Sequence, residues 1–296
     1  MWQPDIVILG QVNQAENIQM AEYATQSGAR IVILNCEGTY DNTKEIYRFG
    51  KHVNHCIDLL IAWGVQHKGD APKFSNINPK KIAVCGTPKF DFYLVRINSY
   101  FLKRKPYQKI LDSKKKTICI STSYGSADNI WDTIKNNLVF KKIGREQSER
   151  FISGQRTLRK QTTDLACRLA QTGSYNIIFR VHPVESDAYY RKRLNGMNVI
   201  IDNSVHPAYL FSVVDLLIHR TSTLATEAWI VGVPTLGFDP IHNSDKEMLP
   251  FTKYETVFSS EDEICQYLQK HDDFRDLDHH RFEKKRFLKQ WFGFEN

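Results

Sequence analysis

Between residues 5 and 270 the chain alternates short apolar runs with longer amphipathic stretches, and that alternation limits its fold more than any other feature. The apolar runs fall at 5–9, 31–34, 81–85, 117–121, 176–179, 199–201, 216–218 and 234–238. The stretches 17–27, 44–61, 148–172, 207–213 and 224–231 carry helical periodicity, and 261–270 and 282–292 continue it. Strands separated by helical patterns of this kind predict βαβ units, hence an α/β protein built on parallel sheets. The stretch 94–116 breaks the pattern with aromatics, basic residues and Pro106, and reads as the connection between two α/β halves. The expected domains are therefore 1–108 and 109–275, with 276–296 as a basic, aromatic C-terminal helix. The first half offers three strands, fewer than a nucleotide-binding half usually carries. It reads as abbreviated, or as lacking a segment that would precede Met1.

Composition narrows the class further. With 296 residues, 42% hydrophobic and 25% charged, the chain has the make-up of a globular protein. No apolar run reaches the roughly 18–20 residues that span a bilayer, and the start lacks the basic, cleavable pattern of a signal peptide. Cys36, Cys56, Cys85, Cys119, Cys167 and Cys265 form no Cys-x-x-Cys pair and read as reduced thiols of a cytoplasmic protein. The net charge of +7 gathers at 103–105, 114–116, 141–142 and 281–289, which suits polyanionic partners or a solvated surface.

Two segments carry most of the chemistry. In Arg180-Val181-His182-Pro183-Val184-Glu185, a strand runs into a turn that proline holds in shape, setting the direction of an imidazole able to donate to phosphate or move a proton. In His219-Arg220-Thr221-Ser222-Thr223, three hydroxyls lie between a strand and the start of a helix, where unpaired N–H groups and the helix dipole favour an anion. Arg220 and His219 add more donors than helix capping needs. Glu227 follows one turn into that helix, where it is either a ribose acceptor or a surface charge. Ser121-Thr122-Ser123-Tyr124-Gly125 supplies another hydroxyl-rich turn after a strand. In the first half, Glu37 sits at a strand end beside Gly38, a position suited to a catalytic base. P-loop and dinucleotide fingerprints are absent, no His/Cys cluster has metal-ligand spacing, and the one Asp-x-Asp, Asp276-Leu277-Asp278, lies in a polar stretch near the end. No metal and no cofactor are expected, and hydroxyls, helix N–H groups, histidine and arginine would neutralise the leaving phosphate.

Taken in order, Cys36-Glu37-Gly38, Ala62-Trp63-Gly64, Gly86 to Asp91, His182-Pro183, Ser222-Thr223, Glu227-Ala228 and Gly232-Val233-Pro234 make a series that resembles bacterial surface-carbohydrate biosynthesis proteins of GT-B fold. The series is similar to capsule Kdo transferases, GT-B sialyltransferases and CDP-glycerol glycerophosphotransferases, and covers roughly residues 4–258. The resemblance implies two Rossmann-like domains whose parallel sheets face each other across a cleft. It places His182, Ser222 and Thr223 on the phosphate of a CMP or CDP donor, with Glu227 against the ribose. Those families use an acidic pair before the glycine. Here cysteine replaces the first acid, so Glu37 carries the role alone or the role is lost.

The resulting expectation is a metal-independent glycosyltransferase that moves a sugar, a Kdo-like or other ulosonic acid, from a CMP-linked donor to a surface polysaccharide or lipid-linked glycan. Glu37 would activate the acceptor and His182 would serve the leaving phosphate. Arg180, Pro183, Glu185, Thr221, Ser222, Thr223, Glu227, Ser121, Thr122 and Ser123 would complete the donor site. The rivals are a CDP-glycerol or ribitol phosphate transferase, a UDP-GlcNAc 2-epimerase, and a non-enzymatic polyanion-binding protein. Nothing matches a nucleic-acid module. The C-terminal residues Phe282, Phe287, Leu288, Trp291 and Phe292 form an aromatic face, expected to lie on an anionic membrane surface or to pack back onto the protein.

Overall fold

A computed structural model describes residues 3–10, 15–34, 55–75, 77–94, 99–100, 103, 105–128, 144–241, 251–271 and 273–294. The chain divides into two compact units. The first comprises 1–94, 246–251 and 281–296, and the second 95–245 and 252–280. The connecting stretch thus groups with the second unit. The last helix groups with the first and is not a body of its own.

Among the described residues the first unit holds one parallel sheet in the order β1-β2-β3-β4, formed by β1 (Ile6–Leu9), β2 (Arg30–Leu34), β3 (Ile57–Ala62) and β4 (Ile82–Val84). Helices α1 (Ala15–Gln26), α2 (Val65–Ser75) and the short α3 (Pro88–Asp91) accompany it. The sheet has a strand more than the sequence pattern predicts. Residues 57–61 read as the end of a helix, yet they form β3, whose Ile57 and Leu60 are buried with Ile31 and Ile33 of β2. Asp58 breaks the apolar run, and its carboxylate accepts the Ile31 N–H at 2.8 Å where the β2–β3 register shifts.

Among the described residues the second unit holds six parallel strands, β5 (Lys116–Ser121), β6 (Tyr175–Arg180), β7 (Val199–Asp202), β8 (Leu216–His219), β9 (Thr235–Phe238) and β10 (Thr256–Phe258). Their spatial order is β10-β9-β8-β5-β6-β7. Counted from the first strand of the unit, this is the order of a Rossmann sheet, in which successive strands first build outward on one side and then switch to the other. The helices are α4 (Arg145–Gln171), α5 (Ala188–Arg193), α6 (Pro207–Leu210), α7 (Leu224–Ile230) and α8 (Glu261–Lys270). The central strands β5, β8 and β9 are buried almost throughout, as parallel strands covered on both faces must be. Ile118 and Ile120 of β5, Phe179 of β6, Leu216 and Ile218 of β8, and Leu165 and Leu169 of α4 share one core. A capping box of Ser260 and Glu263 starts α8.

The C-terminal helix α9 (Arg281–Phe292) packs against α2 in the first unit. Phe287, Leu288 and Phe292 are buried, and Phe292 meets Phe90 at 4.8 Å and Trp63 at 5.6 Å between ring centroids. The expected aromatic face is therefore turned into the protein. Only Phe282, 76% exposed, stands out with Arg281, Lys285, Arg286 and Lys289. No described helix is long and apolar enough to cross a membrane.

Candidate functional site at the strand switch

In an open parallel sheet the point where strand order reverses leaves two adjacent loops diverging to opposite faces, and ligands bind there at the carboxyl ends of the strands. In the second unit that point lies between β5 and β8, which pair through Ile118 to Ile120 and Leu216 to Ile218. The loop after β5 carries Ser121, Thr122, Ser123 and Tyr124. The loop after β8 carries Arg220, Thr221, Ser222 and Thr223, and β6, on the other side of β5, delivers Arg180 and His182. Sheet order thus brings together three segments separated by up to about a hundred residues. With neighbouring strands about 5 Å apart, the tips of β8 and β6 stand about 10 Å from each other.

The β5 and β6 loops are tied by one buried carboxylate. Glu185 Oε1 accepts from the Tyr124 N–H at 2.6 Å and from Thr122 Oγ1 at 3.0 Å, while Oε2 accepts from the Tyr190 hydroxyl. Thr122 Oγ1 in turn accepts the His182 N–H at 3.1 Å. A Cβ at Gly125 would lie 2.9 Å from Val184 Cγ2, so the exposed Val184 side chain would have to shift to admit one. Burial pushes the Tyr124 hydroxyl up to about 12, so it stays a neutral donor-acceptor, 2.7 Å from Thr162 Oγ1. Glu185, expected as a donor contact, is thus placed beneath the site as the clasp of its two loops.

His182 is exposed above that clasp. Its Nδ1 accepts the Val184 N–H at 3.3 Å, which assigns the proton of the neutral ring to Nε2. Pro183, also exposed, follows it in the turn. Arg180 is committed elsewhere: it pairs with buried Asp202 at the end of β7 and donates to the Val205 carbonyl at 2.7 Å. Tyr107 also donates to Asp202, at 2.7 Å.

The β8 loop is anchored from within. Arg220 Nε meets Asp239 Oδ1 at 2.9 Å with both side chains buried, and His219 Nε2 lies 3.0 Å from Glu255 Oε1. This guanidinium and this imidazole, counted by the sequence pattern toward an anion, are spent on holding the loop. Thr221, Ser222 and Thr223 remain half-exposed. Ser222 Oγ accepts the Leu224 N–H at 3.3 Å, and Thr223, the residue before α7, makes no side-chain cap. Glu227 is 1% exposed, which excludes a surface charge. Ser121 and Thr122 are buried, and the Ser121 hydroxyl has no hydrogen-bond partner among the described residues. Ser123 is half-exposed.

Cys36 and Glu37 lie outside the described residues. Among the described residues, no three His, Cys, Asp or Glu side chains are grouped to hold a metal ion. Sequence reasoning passed over Tyr190, Asp202, Asp239 and Glu255, the buried partners that fix the loops. The one signal for them is that Asp202 and Asp239 close, or directly follow, apolar strands.

No protein-family model matches this chain, and no curated protein matches it. Solved structures do. A structure of the wall teichoic acid polymerase TagF soaked with CDPG aligns with a TM-score of 0.63 at 14% identity, over 99% of this chain and 68% of that one. The UDP-GlcNAc 2-epimerase of Neisseria meningitidis, bound to UDP-GlcNAc, aligns with a TM-score of 0.56 at 12% identity, over 93% and 71%. The corresponding epimerase of Methanocaldococcus jannaschii gives 0.56 at 15% identity, over 97% and 75%. This chain has the GT-B fold. At such identities the likeness is one of fold, and the second GT-B unit presents its polar loops at the switch between β5 and β8.

Proposed function

We propose that this protein is a transferase of surface-carbohydrate assembly whose second unit binds a cytidine-nucleotide donor, with a CMP-linked ulosonic acid as the first candidate. The observation that carries the reading is His182, one strand over from the switch, in the loop after β6. It is exposed, with its Nδ1 occupied by Val184 N–H and its Nε2–H available to a ligand, on a loop clasped to the β5 turn by Glu185. As the bond from sugar carbon to phosphate oxygen breaks, negative charge grows on the departing phosphate. Fixed donors aimed at that charge stabilise it without reorganising. In this reading His182 and the hydroxyls of Ser123, Thr221, Ser222 and Thr223 face the phosphate, Glu227 serves the ribose, and Glu37 is the acceptor's base. Each hydrogen bond to a charged phosphate oxygen contributes about 1.5–3 kcal/mol.

Titration calorimetry with CMP, CDP, UMP and UDP tests this. The cytidine nucleotides are expected to bind more tightly, and His182→Ala to weaken them at least about tenfold, equivalent to about 1.4 kcal/mol. No binding of CMP or CDP by the wild-type protein would sink the reading.

A second reading, transfer of a polyol phosphate from a CDP-linked donor, is favoured by the likeness to TagF soaked with CDPG over nearly the whole chain. CMP release assayed in parallel from CMP-ulosonic acid and from CDP-glycerol separates the two. An arm with UDP-GlcNAc and no acceptor checks the epimerase chemistry of the other neighbours.

A further inference from the structure

The loop that carries Thr221, Ser222 and Thr223 is hung from a buried imidazole. His219 closes β8 and is 1% exposed. Its Nε2 lies 3.0 Å from Glu255 Oε1, and its Nδ1 lies 3.3 Å from the Ser222 backbone nitrogen. A peptide N–H can only donate, so Nδ1 is the acceptor and the ring proton sits on Nε2, toward the carboxylate. Glu255 Oε1 also accepts from Thr235 Oγ1 of β9 at 2.5 Å, and Thr235 Oγ1 receives the Trp229 indole N–H of α7 at 2.7 Å. The series Trp229, Thr235, Glu255, His219, Ser222 leaves α7, passes through β9 and β8, and returns to the loop that opens α7.

We propose that Glu255 and His219 are positioning residues for the donor phosphate. The carboxylate selects the Nε2–H tautomer, and the Nδ1 lone pair then orients the Ser222 peptide and, with it, the hydroxyls of Ser222 and Thr223. The proposal rests on the phosphate reading of this loop. Stability alone does not account for the arrangement. A buried carboxylate costs more than well-packed apolar groups of the same volume, and Glu255 Oε2 is buried with no hydrogen-bond partner among the described residues. The opposite tautomer would set two N–H groups against each other at Ser222.

Three measurements test it. In long-range proton–nitrogen correlation spectra at neutral pH, His219 is expected as the Nε2–H tautomer. An Nδ1–H or doubly protonated ring overturns the proposal. Two substitutions split the ring's roles: asparagine can place an acceptor where Nδ1 stands, whereas glutamine reaches only toward the position of Nε2. His219→Gln is expected to weaken CMP binding about tenfold or more and His219→Asn to stay within about threefold of wild type, although both lower Tm. Equal affinity losses that track Tm overturn the proposal. Exchange protection of the Ser222 amide should be lost in His219→Gln and kept in His219→Asn. If the wild-type protein binds no cytidine nucleotide, the phosphate reading falls, and the tautomer and Ser222 protection still decide whether this pair sets the loop.

Discussion

The Glu185 carboxylate accepts the Tyr124 backbone N–H at 2.6 Å across 61 residues of sequence, and this contact helps to join the loops after β5 and β6. Thr122 and Tyr190 donate to the same group, so its removal orphans several buried donors at once. Glu185→Leu is expected to cost about 2–4 kcal/mol in urea unfolding, because hydrogen bonds to a charged group contribute about 1.5–3 kcal/mol each and unsatisfied donors add to the loss. Glu185→Gln keeps an oxygen toward Tyr124 and should cost about half as much. Equal losses for the two would show that the carboxylate does not clasp the loops.

Arg180 gives a contrasting prediction, since its guanidinium pairs with Asp202 and with the Val205 carbonyl. Asp202 is fully buried and also receives Tyr107. Arg180→Leu leaves that charge without its cation and should cost about 3–5 kcal/mol, whereas Arg180→Leu with Asp202→Leu should recover most of the loss. Urea unfolding of the single and double variants decides the point. A double variant no more stable than the single one would show that the two do not act as a pair.

These two clusters mark the limit of what the sequence made legible. Strands β5, β6 and β8 stand out because central parallel strands must be apolar on both faces, and the strand ends then place His182 and Thr221 to Thr223. Strand β3 is obscured by Asp58, a polar residue whose partner is a backbone N–H on β2, and β10 has only three residues. What local pattern cannot supply is the partner of each buried polar group. Arg220 and His219 look like anion donors in one dimension. Only the pairing of β8 with β9 brings Asp239 near the first, and Glu255, just ahead of β10, reaches the second. Glu227 reads equally well as surface or interior until the burial of α7 is known.

Gly64 is a packing requirement in the first unit. A Cβ there would lie 2.5 Å from the Trp291 carbonyl oxygen and closer still to that of Gln290, both backbone atoms of α9 that cannot rotate away. Gly64→Ala should therefore push α9 off the turn between β3 and α2 and cost about 1–3 kcal/mol. The change should also expose Trp63, now buried against Phe90 and Phe292. Thermal unfolding and a red shift of tryptophan emission check both effects. An unchanged Tm would mean that α9 does not seat there.

His67 makes the first unit sensitive to acid. Burial lowers its pKa from 6.5 to about 4 despite the opposing pull of Asp70, and its Nδ1 accepts the Trp63 N–H at 3.1 Å, an acceptor role only the unprotonated nitrogen can fill. Between pH 6.5 and about 4 the unfolded chain takes up a proton that the folded chain refuses. Stability is therefore fully present above the upper value and is lost as pH falls through this window, by up to about 3 kcal/mol from this group. His67→Gln removes the titrating group while leaving an amide near Trp63. The variant should start less stable at pH 7 yet lose less on going to pH 4.5, read as the change in Tm between the two conditions. A variant whose Tm falls as steeply as that of the wild-type protein would assign the acid sensitivity to other groups.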